Sequence, residues 1–207
     1  VDGGAIYAGF VNSIIDNCTF IANSAVNGGA VNNYHNSLNI SNSYFERNIA
    51  SYGGAIVNYQ TYGYANFLNN TYKDNSAAYG GAIYSTKGFN AYSLDVLYSE
   101  FVNNSASADG NEIYVIGNAN INYNSFVNSI PVSIPDIYVD AKSVNYVSIE
   151  NNWWGTSNPD WDKILSDTNV SIPKVYAVLN GTLEESGIAT YDLIINMYWN
   201  GTKNQTN

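Results

Sequence analysis

Gly3-Gly4-Ala5-Ile6, Gly28-Gly29-Ala30-Val31, Gly53-Gly54-Ala55-Ile56 and Gly80-Gly81-Ala82-Ile83 are four copies of one motif, and Gly110-Asn111-Glu112-Ile113 is a degenerate fifth. A second motif recurs out of phase with it. Its copies are Asn17-Cys18-Thr19-Phe20, Asn42-Ser43-Tyr44-Phe45, Asn69-Asn70-Thr71-Tyr72, Tyr98-Ser99-Glu100-Phe101, Tyr123-Asn124-Ser125-Phe126 and, more weakly, Glu150-Asn151-Asn152-Trp153. The aromatic members stand 25, 27, 29, 25 and 27 residues apart. In four copies an Asn follows three residues later (Asn23, Asn48, Asn75, Asn104), and an Ala two beyond that (Ala25, Ala50, Ala77, Ala106). Self-similarity at such a period is the mark of a repeat architecture.

The period decides what kind. No copy carries a sustained i, i+3, i+4 apolar pattern, whereas Leu38-Asn39-Ile40-Ser41 and Ala119-Asn120-Ile121-Asn122 alternate as strands do. Three strands and three turns fill about 25 residues, one coil of a three-sided solenoid. The hexapeptide period of left-handed β-helices and the Leu ladder of leucine-rich repeats are both missing. The handedness of parallel crossovers then favours a right-handed parallel β-helix. About six coils at ~4.8 Å each make a rod ~29 Å long. The expected fold is therefore all-β, with the solenoid over 1–160 and a small β extension over 161–207.

Each recurring residue has a mechanical reason in such a coil. Ile6, Val31, Ile56 and Ile83 are expected to stack inward as an aliphatic ladder, and Phe20, Phe45, Tyr72, Phe101 and Phe126 as an aromatic one. The Gly pairs permit a corner where a Cβ would clash. Asn23, Asn48, Asn75 and Asn104 read as a structural amide ladder. Cys18 shares the register of Ser43, Asn70 and Ser99 and reads as a small ladder residue. Glu46 with Lys73, and Arg47 with Asp74, read as stacked ion pairs between adjacent coils.

Composition excludes several functions. The 207 residues carry 17 acidic against 7 basic side chains, a net charge of -10. Nucleic-acid binders need the opposite balance. Charged residues are only 12% of the chain, about half the usual share; 34 Asn and 31 Ser and Thr supply the polarity instead. One Cys, Cys18, and one His, His35, leave no disulfide framework and no Cys- or His-rich metal site. No apolar run has the length of a membrane helix, so the chain is not expected to insert in a membrane. The start inside a motif reads as a piece of a longer chain, with any export signal outside it.

The carboxylates Asp16, Asp95, Glu100 and Asp109 fall at different coil positions, with no aligned pair in successive rungs. No catalytic residue, metal ligand or cofactor is therefore assigned. Aromatic residues do gather. From aromatic to next Gly the gap is 8, 8, 8 and 9 residues, but from aliphatic to next aromatic it is 14, 14, 16, 18 and 13, so length varies at one edge only. That edge carries Phe10, Tyr34 with His35, Tyr59, Tyr62, Tyr64, Phe89 and Tyr92. Solenoids carry binding where insertions are tolerated, and Tyr rings suit sugar faces. Tyr34, Tyr59, Tyr62, Tyr64, Phe89 and Tyr92 are the candidate glycan contacts, unless the rings serve as cover for the coil. Eight Asn-X-Ser/Thr sequons, at Asn17, Asn39, Asn69, Asn103, Asn169, Asn180, Asn200 and Asn204, compare with about five by chance.

After Asn151-Asn152-Trp153-Trp154-Gly155-Thr156-Ser157-Asn158-Pro159 the period stops. The two Trp are placed to close the end of the solenoid. Residues 160–173 read as linker or cap. Val175-Tyr176-Ala177-Val178-Leu179 and 191–199 read as strands, followed by a turn at Asn200-Gly201 with its partner cut off. This is the start of a truncated Ig-like β-sandwich module, or else part of the cap.

The Gly-Gly-Ala-Ile and Asn-Ser-X-Phe-X-X-Asn-X-Ala motifs, closed by Asn-Asn-Trp-Trp-Gly, resemble the adhesin-like surface proteins of methanogenic archaea over about residues 1–160. The two repeats are also similar to those of polymorphic outer-membrane proteins and other pectate-lyase-like β-helices. The resemblance implies an exported, extracellular, wall-associated rod that presents a binding surface and is often followed by Ig-like modules. Glu112 departs from its pattern by standing where the other copies have Ala. The expected function is a non-catalytic adhesin fragment, monomeric, whose partners are glycans or surface proteins of other cells. A polysaccharide-degrading enzyme and a purely structural stalk are the alternatives.

Overall fold

The computed structural model describes residues 2–128, 134–140, 146–167, 175–183, 189–199 and 204–206, with backbone alone at 60–61, 87–93, 165–167, 179–183, 189–192, 195–199 and 204–206. It is a right-handed parallel β-helix, with a small antiparallel sheet at the C-terminus. Five complete three-sided turns are followed by a less regular sixth. The first face stacks Ile6–Gly9, Val31–His35, the start of Ile56–Leu68, the start of Ile83–Leu97, Ile113–Ile116, Ile137–Asp140 and Leu165–Asp167. The second stacks Ser13–Asp16, Leu38–Ser41, residues 65–68 and 94–97, Ala119–Asn122 and Val147–Ser148. The third stacks Thr19–Ile21, Tyr44–Glu46, Thr71–Lys73, Glu100–Val102 and Ser125–Val127.

On the second and third faces the strands form because alternate residues have a buried and a more open destination, while on the first face residues 31–33 and 56–58 are buried on both sides. On the first face Ile6, Val31, Ile56, Ile83, Ile113 and Ile137 share one column, the expected aliphatic ladder with two further members. On the third face Phe20, Phe45, Tyr72, Phe101 and Phe126 stack with centroids 4.8–5.2 Å apart. The sixth ring of that ladder is Trp154, 4.6 Å from Phe126. Trp153, expected there from the motif, stands one residue off: it bridges Ser125, an outward position. The reason is the amide before it, since Asn152 Oδ1 accepts the Asn124 N–H at 2.8 Å and so fixes the register.

Two columns of polar side chains, one of Asn alone and one mixed, close the corners. Asn48 Oδ1 accepts both the backbone N–H and the side-chain amide of Asn23, at 2.9 Å each; Asn75 does the same for Asn48, and Asn104 for Asn75. Their Nδ2 groups also donate to the carbonyls of Phe20, Phe45 and Tyr72 in turn. A second column runs through Cys18, Ser43, Asn70, Ser99, Asn124 and Asn152, so Cys18 stands where the motif placed it. The second Gly of each pair is fixed by the same stacking. A Cβ on Gly54 would lie 2.0 Å from the Gly81 carbonyl oxygen, while Gly53, at φ 58°, makes the left-handed corner.

Of the two expected ion pairs one forms: Lys73 reaches Glu46 at 3.8 Å. Arg47 pairs with Glu46 too, at 3.2 Å, and not with Asp74. Arg47 and Asp74 both sit at left-handed corner positions, φ 52° and 53°, and both are exposed, so nothing holds their side chains together.

At the C-terminal end the first-face sheet continues past residue 160, through the short helix Trp161–Ile164 into Leu165–Asp167. Val175–Leu183 and Ala189–Trp199 pair antiparallel, and Asn204–Thr206 adds a third strand; the expected turn at Asn200-Gly201 lies outside the described residues. This sheet is joined to the rod: Asn151 N–H donates to the Val175 carbonyl at 2.8 Å, and Ala177 N–H to that of Asn152 at 2.9 Å. Tyr176 is fully buried and packs edge-on to Trp161, which packs edge-on to Trp154.

Asn75→Ala removes an acceptor shared by two donors and leaves buried partners unpaired. It should cost about 3 kcal/mol in urea unfolding. Asn23→Ala, at the half-buried head of the ladder, should cost about 1 kcal/mol.

Candidate functional site

The outward positions of the first face carry the aromatic surface. One residue after each ladder aliphatic, the column reads Tyr7, Asn32, Val57, Tyr84, Tyr114 and Tyr138. Two residues further on, Tyr34 and Tyr59 share a column. Parallel register therefore brings these rings together. Tyr34 packs edge-on against Phe10 at 5.6 Å and His35 at 4.0 Å, and meets Tyr59 at 6.5 Å. Tyr59 reaches Tyr84 at 6.0 Å. Tyr84, Tyr114 and Tyr138 stack at 5.1 and 4.6 Å, flanked by the stacked pair Tyr52 and Tyr79. A chain of rings thus runs from Phe10 in the first coil to Tyr138 in the sixth.

The expected contacts divide within this picture. Tyr34 is open to solvent and Tyr59 is half-buried within the chain of rings; its phenol is pushed above the ordinary range by burial first, then by Tyr52 and Asp2. Tyr62 and Tyr64 are about half exposed, at 55% and 51%. They lie where Ile56–Leu68 and Ile83–Leu97 pair in parallel across the corner between the first two faces, with register shifts between Lys87 and Asn90 and between Ala91 and Leu94, at the edge whose length varies. Phe89 and Tyr92 fall in the second of these strands, with side chains outside the described residues.

Sequence reasoning missed Tyr52, Tyr79, Tyr84, Tyr114 and Tyr138. The signal was present: Ile-Tyr recurs at Ile6, Ile83, Ile113 and Ile137, and Tyr52 and Tyr79 each precede a Gly pair. The outer column is also a cover, since Tyr84 is itself buried and Asn32 and Val57 in the same column are 2% and 0% exposed.

It missed a pair of acids as well. Asn111-Glu112-Ile113-Tyr114-Val115 aligns with Pro135-Asp136-Ile137-Tyr138-Val139, and Glu112 N–H donates to the Asp136 carbonyl at 2.9 Å. Two carboxylates outside the four weighed from the sequence therefore occupy successive rungs, at the inward position where earlier coils have Ala. The sixth copy lacks both glycines, which hid the alignment. Glu112 is fully buried and Asp136 nearly so. Glu112 Oε2 accepts the amide of Asn104 at 2.5 Å and so ends the asparagine ladder, while Oε1 has no partner. Asn128 Nδ2 donates to Asp136 at 2.6 Å. Burial, and then the neighbouring Asp136, push Glu112 up to about 8; burial pushes Asp136 up to about 7. Both side chains are enclosed in the core, so their charge acts on stability. Among the described residues, no group of three or more His, Cys, Asp or Glu side chains is placed to hold a metal ion.

The sequence matches no family model, and neither curated proteins nor solved structures yield a match.

The acid pair sets a pH dependence. Between their ordinary values of 4.5 and 3.8 and the raised values of about 8 and 7, the folded chain holds protons that the unfolded chain has released. The pair's stabilising contribution is therefore fully present below about pH 4 and is lost as pH rises toward 8. Denaturant unfolding should show stability falling across this window, and Glu112→Gln with Asp136→Asn should flatten it. An unchanged slope in the double variant would contradict the assignment.

Proposed function

We propose that this chain is a non-catalytic attachment rod of a cell-surface, adhesin-like protein, which holds glycans of other cells against its outward tyrosine surface. The observation that carries the reading is the chain of rings from Phe10 through Tyr34 and Tyr59 to Tyr138, continued sideways by the exposed Tyr62 and Tyr64. Tyr rings present an apolar face for the C–H side of a sugar and a hydroxyl for its polar rim. Tyr34 and Tyr59 share a column on adjacent coils with ring centres 6.5 Å apart, so rings of successive coils can line one extended polymer.

The surroundings fit the same use. Charges are few and mostly negative, which disfavours acidic polymers and leaves amides and hydroxyls as the hydrogen-bonding groups. A rigid, in-register sheet loses little freedom on binding, so weak single contacts add usefully when many repeat along a wall.

Retention on a panel of insoluble polysaccharides and whole microbial cells tests this. Saturable retention is expected for the native chain, at least tenfold weaker for a Tyr34→Ala, Tyr62→Ala, Tyr64→Ala variant, with no soluble sugar released. Equal retention of both proteins, or release of sugar, would contradict it; no retention of either would favour a structural stalk.

A further inference from the structure

The corner between the second and third faces is made by one residue per coil in the left-handed conformation. Its occupants are Asn17, Asn42, Asn69, Tyr98, Tyr123 and Asn151, with φ between 50° and 59°. Asn is at home there and a large aromatic residue is not. Yet Tyr98 and Tyr123 hold this conformation with 62% and 46% of their surface exposed. They stack on one another at 5.6 Å and 18°. The core gains nothing from them that Asn does not supply in four other coils. Strained residues that the packing does not require point to use.

The two rings wall a groove of about 490 Å³. In their own column they are bracketed by the shorter Asn69 and Asn151, so the outer face of each ring has no aromatic neighbour over it. Trp153, the residue displaced from the inner ladder, lines the same groove. Glu100 and hydroxyls of the third face lie along it, and Ala177 and Leu193 of the C-terminal sheet close one end. The Asn151 amide oxygen is buried without a hydrogen-bond partner. No Lys or Arg is among the lining residues.

We propose that this groove, walled by Tyr98, Tyr123 and Trp153, is a second ligand site, built for an uncharged linear saccharide. Because Tyr98 and Tyr123 stack on each other, they offer the groove their outer faces and edges, and with Trp153 beside them they take the apolar faces of separate sugar units along one chain. Glu100 accepts from sugar hydroxyls, with amides beside it as further partners. A carboxylate in the groove and a net charge of -10 repel uronate polymers, which selects neutral chains. The site lies on a different corner from Tyr62 and Tyr64, so the two sites engage ligands independently.

The test is titration calorimetry of the full chain with cellohexaose, mannohexaose, chitohexaose and hexagalacturonate. Tyr98→Asn/Tyr123→Asn is the decisive variant, because it restores the residue found at this corner in the other coils and preserves the fold. Saturable binding of at least one neutral hexasaccharide is expected, with hexagalacturonate inert. The double variant should bind at least tenfold more weakly while its melting temperature stays equal or rises. Tyr62→Ala/Tyr64→Ala should leave this binding unchanged. Absence of binding by every neutral probe, preference for hexagalacturonate, or undiminished binding by the Asn variant would overturn the proposal. Loss in the Tyr62/Tyr64 variant instead would also overturn it while leaving the edge reading in place.

Discussion

On the three faces of the rod side chains sit over their counterparts one coil away, with register shifts at the corner spanned by 87–94 and between Ala106 and Asp109, and the structure follows from keeping that register. In a parallel stack a column accepts only side chains that tolerate a copy of themselves at about 4.8 Å. Apolar residues do so by packing and amides do so by donating to one neighbour and accepting from the other. Charges of one sign do not. This explains why so little of the chain is charged and why the corners are made of Asn. It also explains the cost of Glu112 and Asp136: stacked in the core, they are biased toward their protonated forms by burial and, for Glu112, by its acidic neighbour. A one-residue slip would turn the Phe20-to-Trp154 ladder outward and expose the interior.

The same rule sorts structure from function. Inward columns keep largely to apolar and amide side chains, Glu112 and Asp136 apart, because each member is a neighbour's packing partner. Outward columns are free to vary, and there the rings collect: Tyr34 and Tyr59 on the first face, Tyr62 and Tyr64 on the edge of variable length, Tyr98 and Tyr123 at a left-handed corner. The two kinds of aromatic residue have the same neighbours in sequence and opposite roles. Phe101 and Tyr98 differ by three positions, yet one is wholly buried and the other mostly exposed. The C-terminal sheet adds to this division: it extends the hydrogen bonding of the third face through Asn151, Asn152, Val175 and Ala177 and forms one wall of the groove.

The solenoid was legible because its repeated residues are the ones with no freedom. Gly54 cannot carry a Cβ against Gly81, Asn48 cannot lose its amide between Asn23 and Asn75, and so each copy announces itself. Legibility failed where the repeat decayed. Pro135-Asp136-Ile137 lacks the Gly pair, so the rung that places Asp136 over Glu112 could not be seen, and the acid pair with it. Trp153 and Trp154 are both aromatic, so spacing alone put the wrong one in the ladder; the hydrogen bond from Asn124 to Asn152 decides it. The tyrosines of the outer column were hidden for a different reason. The ladder position recurs as Ile or Val, whereas the position after it varies through Asn32 and Val57 before settling on Tyr84, Tyr114 and Tyr138, so no residue common to all copies marks it.

The register itself is open to a direct chemical test, because Cys18 is the only cysteine. Ser43 Oγ accepts from the Cys18 backbone N–H at 3.1 Å, which puts position 43 immediately beneath it in the same column. Parallel neighbours at this separation fall within the Cα distance of a disulfide, about 4.4–6.8 Å. Under mild oxidation Ser43→Cys should close a bond to Cys18 within one chain, with both thiols lost to alkylation, whereas Asn42→Cys and Tyr44→Cys should remain free. Closure by either of those two in preference to Ser43→Cys would displace the stack by a residue and contradict the account.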